Sequence, residues 1–192
     1  MKYALIIVDA QNEFSHDGKR AVPNHRAAIA AIARWLTHAR ERGWEVAWIQ
    51  HHNRPNESPA FAPGSWGAEF SPEVQPRWDD GHEQLFQKDV YGAFTGTGLE
   101  PWLRERAVSH LVIVGFYAHM CVSTSVREAL VRGFEVVIDP DATGAAALQH
   151  PELGTQSANE VRRSAFLHLM HLGAHVARTP DSIWSASPLA AR

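Results

Sequence analysis

The chain has 192 residues, of which 45 % are hydrophobic and 20 % are charged, and its net charge is −3 at pH 7. This length suits one well-buried domain, and we expect a single domain over residues 1–192. Because the net charge is small and negative, nothing favours binding of nucleic acid or of an anionic membrane surface, and a small molecule is the expected partner.

The first apolar run, "ALIIV" at residues 4–8, is followed at once by Asp9. It is too short for a signal-peptide core, and no other run approaches the ~20 apolar residues of a membrane span. We therefore expect a cytoplasmic protein without a membrane partner.

Short apolar runs and helical patterns then alternate along the chain. The apolar runs predict buried parallel strands at 3–8, 45–50, 84–88, 110–115, 134–139 and 174–177. Apolar residues at helical spacing predict helices over 25–42, 98–108, 125–133 and 158–173. This order predicts a doubly wound, three-layer α/β/α Rossmann-like domain with a six-stranded parallel sheet. The segment 51–83 is too long to be a simple connecting loop in a compact domain, so we expect it to carry function or a subunit contact.

Polar residues stand where several predicted strands end. They are Asp9, His51 with His52, Lys88, and the turn from Tyr117 to Cys121. In open parallel sheets, ligands bind beyond the carboxyl ends of the strands. The chain has neither a G-x-G-x-x-G turn after the first strand nor a P-loop motif, so a dinucleotide or nucleoside triphosphate site is not supported.

Cys121 is the only cysteine, so it cannot form an internal disulfide. It precedes a predicted helix, whose first amides favour a thiolate and can donate to a developing oxyanion. Asp9 could take the thiol proton, and Lys88 could offset the carboxylate. Each residue also has a plain explanation: a buried structural cysteine, a turn-ordering aspartate and a solvated lysine.

Three ordered segments resemble the isochorismatase-like cysteine hydrolases. They are "LIIVDAQNEF", "QKDVYGAFTGTGLEPWLRE" and "LVIVGFYAHMCVSTSVREALVRGFEVVIDPDAT". The resemblance implies a Cys–Asp–Lys triad of Cys121, Asp9 and Lys88, usually in a homodimer or homotetramer. It also implies that the thiolate attacks an amide-type carbonyl, an amine leaves, and water cleaves the thioester. The implied oxyanion hole consists of the backbone N–H groups of Tyr117 and Cys121, with a cis bond at Phe116–Tyr117.

The side chains around the implied site predict a pocket for a small planar substrate. We expect Phe14, Trp66, Tyr91 and Tyr117 to contact it, because they fall in loops or at strand ends, and His119 to make the pocket more polar.

Two departures from the resemblance shape the expected function. Nicotinamidases of this group carry an Asp-x-His metal motif where this chain has His51 and Asn53, so we expect no metal and no other cofactor. The segment "YAH" resembles true isochorismatases, which cleave a vinyl ether and lack the cysteine. We expect amide hydrolysis, and the alternatives are an isochorismatase-type hydrolase using Asp9 and a non-catalytic binding or assembly module.

Overall fold

A computed structural model describes residues 1–79 and 81–185 of the chain. Its centre is a six-stranded parallel sheet in the order β3-β2-β1-β4-β5-β8, which confirms the predicted fold class. The strands of this sheet are β1 (Tyr3–Val8), β2 (Glu45–His51), β3 (Glu83–Lys88), β4 (His110–Gly115), β5 (Glu135–Thr143) and β8 (His175–Val176).

Helices cover both faces of the sheet. They are α1 (His25–Glu41), α2 (Leu99–Glu105), α3 (Ser123–Val131) and α4 (Ala158–His171). The core on one face joins α1 to Leu5 and Ile7 of β1, whereas the other core joins α2, α3 and α4 to Ala4, Ile6 and Val8. Because side chains alternate along a strand, the single run Ala4–Val8 supplies both cores, and this explains why it is apolar throughout.

Several helix and strand boundaries follow from local chemistry. At the start of α4, Ser157 and Glu160 form a reciprocal capping box, which satisfies two N-terminal amides. Glycines with positive φ, Gly43 and Gly133, follow α1 and α3 within two residues of their last helical residue. These signals are why the helices lie close to their predicted limits.

Two buried tryptophan side chains each donate a hydrogen bond to a buried carboxylate. Trp35 Nε1 donates to Asp139 at 2.7 Å, and Trp48 Nε1 donates to Glu83 at 2.7 Å. Arg40 also donates to both oxygens of Glu83. Buried carboxylates need such donors, so these pairs hold α1 against β5 and β3, and hold β3 against β2.

One pair of strands was not predicted. Residues Leu148–His150 (β6) and Gly154–Gln156 (β7) form an antiparallel hairpin outside the main sheet. All six of these residues are exposed, so they give no alternating apolar signal.

The segment that was expected to carry function, 51–83, leaves the carboxyl end of β2 and returns to the opposite edge of the sheet, where the Val46 N–H donates to the His82 carbonyl. It contains a short 3₁₀ turn at Trp66–Ala68, and Phe70 bridges to Gln11. Across the described residues, no helix has the length and apolarity needed to cross a bilayer.

Candidate active site

The strand order reverses between β1 and β4. From β1 the chain proceeds through β2 and β3 on one side, and β4, β5 and β8 lie on the other. Asp9 follows β1, Lys88 ends β3, and Cys121 lies in a helical turn after β4. The topology therefore brings all three to the edge of the sheet where ligands bind in this class of fold.

Asp9 has an unusual backbone conformation. Its φ is 51°, in the left-handed region that a non-glycine residue enters at a cost of roughly 1–2 kcal/mol. The Asp9 N–H donates to the Ile49 carbonyl at 3.0 Å, and its own carbonyl accepts from the Gln11 N–H at 2.7 Å. These contacts hold the strained residue in place, so its carboxylate has a fixed direction.

The Lys88 ammonium joins the other two residues. Nζ donates to Asp9 Oδ2 at 2.8 Å and to Cys121 Sγ at 3.4 Å, and it lies 3.2 Å from His51 Nδ1. The Lys88 and Asp9 side chains are 0 % and 1 % exposed. A buried ion pair of this kind is costly to break, because either partner alone would be an uncompensated buried charge.

The electrostatics favour a protonated thiol before substrate arrives. Burial raises the pKa of the Cys121 thiol well above its ordinary value, and the Asp9 carboxylate raises it further, although Lys88 opposes this. Burial also opposes the charge of Lys88, but Asp9 and Cys121 outweigh that cost and raise the pKa of Lys88. The thiol thus needs a proton acceptor, and Asp9 Oδ1 is buried without a hydrogen-bond partner among the described residues.

The turn that carries Cys121 is anchored from two directions. A π-helical turn at Ala118–Val122 runs directly into α3, so the helical structure begins earlier than the predicted residue 125. Ser125 Oγ donates to the Cys121 carbonyl at 2.6 Å and accepts from the Ala93 N–H at 3.0 Å. The cis bond expected at Phe116–Tyr117 is present.

Two buried side chains tie the surrounding loops together. Gln11 accepts from the His51 N–H at 2.9 Å and donates to the carbonyls of His51 and Ala68. Glu13 accepts from the backbone N–H groups of Lys19 and Phe61 at 2.6 and 3.0 Å. Because both side chains are buried, they need these partners. In the sequence, the available signal is the polar run that follows the apolar strand β1.

A cavity of about 350 Å³ opens above the thiol. Of the expected substrate contacts, Phe14, Tyr91 and Tyr117 line it. Residues that the sequence did not assign to it also line it, among them Arg20, Asn53, Glu57, Ser58 and Phe61. Charge and aromaticity at scattered positions give no local motif, so only the folded loops reveal this set.

The structure does not bring Trp66 and His119 into this cavity. Trp66 is 50 % exposed, and its carbonyl accepts from the Asn12 side chain. His119 lines a separate depression between α3 and α4. Successive residues of a helical turn point in different directions, so His119 faces away although Met120 and Cys121 line the cavity.

Tyr117 has a second contact beside its place in the cavity wall. Its hydroxyl donates to the Arg20 carbonyl at 2.8 Å, and burial raises the pKa of Tyr117 to about 12. The phenol therefore stays neutral and holds the loop that carries Arg20 against the turn before Cys121.

Metal-ligating residues do not cluster in the described part of the chain. Residues 1–79 and 81–185 contain no group of three or more His, Cys, Asp or Glu side chains that could hold an ion. His51 and Asn53, at the place of the nicotinamidase metal motif, hydrogen-bond to each other at 2.8 Å.

Comparisons with known proteins agree on one family. A sequence model of the isochorismatase domain matches residues 3–181. The chain is 32 % identical over 149 residues to the isochorismatase family protein YddQ of Bacillus subtilis (strain 168), covering 78 % of this chain and 81 % of that protein. It is 30 % identical over 188 residues to the nicotinamidase/pyrazinamidase of Mycobacterium tuberculosis (strain ATCC 25618 / H37Rv), covering 87 % and 97 %.

A solved structure agrees with these sequence matches. It is an isochorismatase from Pseudomonas putida KT2440, which superposes with a TM-score of 0.84 at 28 % identity and covers 93 % of this chain and 89 % of its own.

Proposed function

The chain belongs to the isochorismatase family of hydrolases, and from that premise we propose that it is a cysteine hydrolase that cleaves a C–N amide-type bond of a small molecule. The observation that carries the proposal is the Lys88 ammonium, which contacts both the Asp9 carboxylate and the Cys121 thiol at the cavity. A nucleophile, a proton acceptor and a cation that stabilises both negative forms are the parts that thiol acyl transfer needs.

In the first half-reaction the substrate carbonyl lies above Cys121. The thiol proton moves to Asp9 as Sγ forms a bond to the carbonyl carbon, and the carbonyl oxygen becomes an oxyanion. Asp9 then gives this proton to the amide nitrogen, the C–N bond breaks, and ammonia or an amine leaves a thioester on Cys121.

In the second half-reaction water replaces the amine. Asp9 takes a proton from the water as its oxygen attacks the thioester carbon. The C–S bond breaks, the carboxylic acid leaves, and Sγ recovers the proton, which restores the starting state. Lys88 keeps its positive charge throughout, so a cation lies beside Asp9 and Cys121 whenever either of them is anionic.

The backbone N–H groups of Tyr117 and Cys121 are proposed as oxyanion donors. In support, the Tyr117 N–H donates no hydrogen bond to any atom of the described residues, so it is free for a substrate oxygen. Loss of one such donor in an acyl-transfer enzyme costs about 10²–10³ in kcat.

The test is a screen of small amides, ureas and carbamates for release of ammonia or amine. Wild type should hydrolyse at least one of them, and mass spectrometry of quenched enzyme should find an acyl adduct on Cys121, the only thiol of the chain. Cys121→Ala should lose both, whereas His52→Leu, a neighbouring change away from the cavity lining, should keep both. Undiminished amide hydrolysis by Cys121→Ala would overturn the thiol mechanism.

Vinyl-ether hydrolysis is a second candidate. The segment Tyr117–His119, which resembles true isochorismatases, favours it. Isochorismate therefore belongs in the screen. If Cys121→Ala keeps activity on isochorismate and Asp9→Asn loses it, this second function replaces the first.

A further inference from the structure

The Lys88 ammonium has a third partner that the triad does not include. An ammonium carries three N–H donors, and Lys88 Nζ has three neighbours: Asp9 Oδ2 at 2.8 Å, His51 Nδ1 at 3.2 Å and Cys121 Sγ at 3.4 Å. The Lys88 side chain is 0 % exposed, so solvent cannot replace any of them. His51 thus accepts the one N–H that neither the carboxylate nor the thiol uses.

The protonation of the His51 ring follows from its neighbours. Asn53 Nδ2 donates to the Ala60 carbonyl at 2.9 Å, which turns Asn53 Oδ1 toward the imidazole. His51 Nε2 lies 2.8 Å from this oxygen, which can only accept, so Nε2 carries the proton. Nδ1 is then a lone pair aimed at the Lys88 ammonium.

The backbone of His51 is fixed as well. Its N–H and carbonyl both bond to the Gln11 side chain, at 2.9 and 3.0 Å, and the ring stands edge-on to Phe61 with centroids 5.3 Å apart. His51 is 8 % exposed. Because the His51 ring is held by these contacts, it can fix the orientation of the Lys88 ammonium.

We propose that His51 is a positioning residue that aims the Lys88 ammonium at Asp9 and Cys121 while adding no charge. The proposal rests on the proposed thiol mechanism. With a neutral imidazole, the site holds one cation and one anion both before and after the thiol proton moves to Asp9. An anionic acceptor in its place would oppose thiolate formation, because negative charge beside a thiol raises its pKa.

The alternative to a positioning role for His51 is a purely structural role. If the ring only fills space, then any residue of similar size that keeps the fold should support the same chemistry. If the lone pair matters, then an acceptor at the same position should restore function where an apolar residue does not.

Three variants separate these cases. In His51→Asn the amide oxygen can occupy the position of Nδ1, His51→Leu has no acceptor, and His52→Leu is the control because its side chain does not line the cavity. Two readouts are needed: kcat and KM on an amide from the screen, and the rate of Cys121 alkylation by iodoacetamide against pH. Because the chain has a single cysteine, alkylation reports on Cys121 alone.

The expected result is a loss of kcat in His51→Leu of about tenfold or more with little change in KM, since misaligned catalytic groups slow the chemical step. Alkylation at a given pH should also slow by about tenfold, as expected if the thiol pKa rises by one unit. His51→Asn should recover most of both, and His52→Leu should match wild type.

Two results would overturn the proposal: wild-type kcat and alkylation in His51→Leu, or equal impairment of His51→Asn and His51→Leu in folded protein. If His51→Leu does not fold, His51→Val takes its place, because it also lacks a side-chain acceptor for Lys88; unchanged kcat and alkylation there would equally overturn the proposal. The alkylation profiles need no substrate, so they remain decisive even if the screen finds no amide and the proposed function fails.

Discussion

Replacing Asp9 with Asn should separate the stability of the buried ion pair from its chemistry. Asn has nearly the same shape as Asp, so the change removes one charge and leaves Lys88 as a cation whose side chain is 0 % exposed. Breaking a buried pair by neutralising one partner costs about 3–5 kcal/mol. For a domain of this size, that loss lowers Tm by roughly 6–20 °C.

The double variant Asp9→Asn/Lys88→Met shows where this cost arises. If the loss comes from the uncompensated ammonium, then removing the ammonium should restore stability to within about 1–2 kcal/mol of wild type, because apolar replacement of a buried pair is often neutral. Catalysis should not return, since both the proton acceptor and the cation are gone. Urea unfolding measures the first quantity and amide turnover the second.

A surface pair provides the control. Arg54 and Asp89 lie 2.7 Å apart but are more than half exposed. Asp89→Asn should leave the urea midpoint nearly unchanged, because solvent screens this pair. The reasoning is refuted if Asp9→Asn is as stable as wild type, or if the double variant is no more stable than Asp9→Asn.

Three further predictions concern pH, backbone space and substrate charge. The pKa of Cys121 in the folded chain lies above that of the unfolded thiol, about 8.5, so the unfolded chain loses the proton first and the free energy of unfolding falls above that pH by up to about 1.4 kcal/mol per pH unit. Urea unfolding from pH 8 to 10 should show a smaller loss of stability in Cys121→Ala than in wild type. Parallel stability curves for the two proteins would contradict this. Gly115 has φ 118°, and a Cβ there would collide with the Val8 carbonyl. Gly115→Ala should therefore destabilise the fold by about 3 kcal/mol or more, well beyond the effect of the control Gly133→Ala, where the space is open. Similar unfolding midpoints for the two variants would contradict this. Arg20 lines the cavity, so Arg20→Gln should lower kcat/KM about tenfold for amides that carry a carboxylate and leave neutral amides unchanged; an equal effect on both would show that its charge does not select substrates.

The fold was predictable because its signals are local and redundant. Short apolar runs such as Ala4–Val8 are typical of strands covered on both faces, and glycines such as Gly43 end the helices between them. The β6–β7 hairpin was not predicted, because its strand residues are all exposed and therefore show no alternation of apolar and polar positions. Its formation depends on a turn and on contacts with α4, which sequence periodicity does not record.

The site was predictable only in part. Asp9, Lys88 and Cys121 could be brought together because parallel strands place their carboxyl ends at one edge. The proposed role of His51 could not be predicted, since it rests on side-chain contacts with Lys88 and Asn53 that are seen only in the folded chain. The expectation that His119 contacts the cavity differs from the structure for a similar reason. The helical turn begins at Ala118, and this start sets the direction of the side chains that follow.

The long sequence separations within the site mean that the environment of Cys121 changes late in folding. Asp9 and Lys88 are 79 residues apart and Lys88 and Cys121 are 33 apart, so the network forms only after three distant strands have paired. Before that point Cys121 is an ordinary accessible thiol, open to oxidants. In the folded chain Cys121 is 7 % exposed, and burial raises the pKa of its thiol. Folding therefore lowers the fraction of reactive thiolate at Cys121 relative to the unfolded chain.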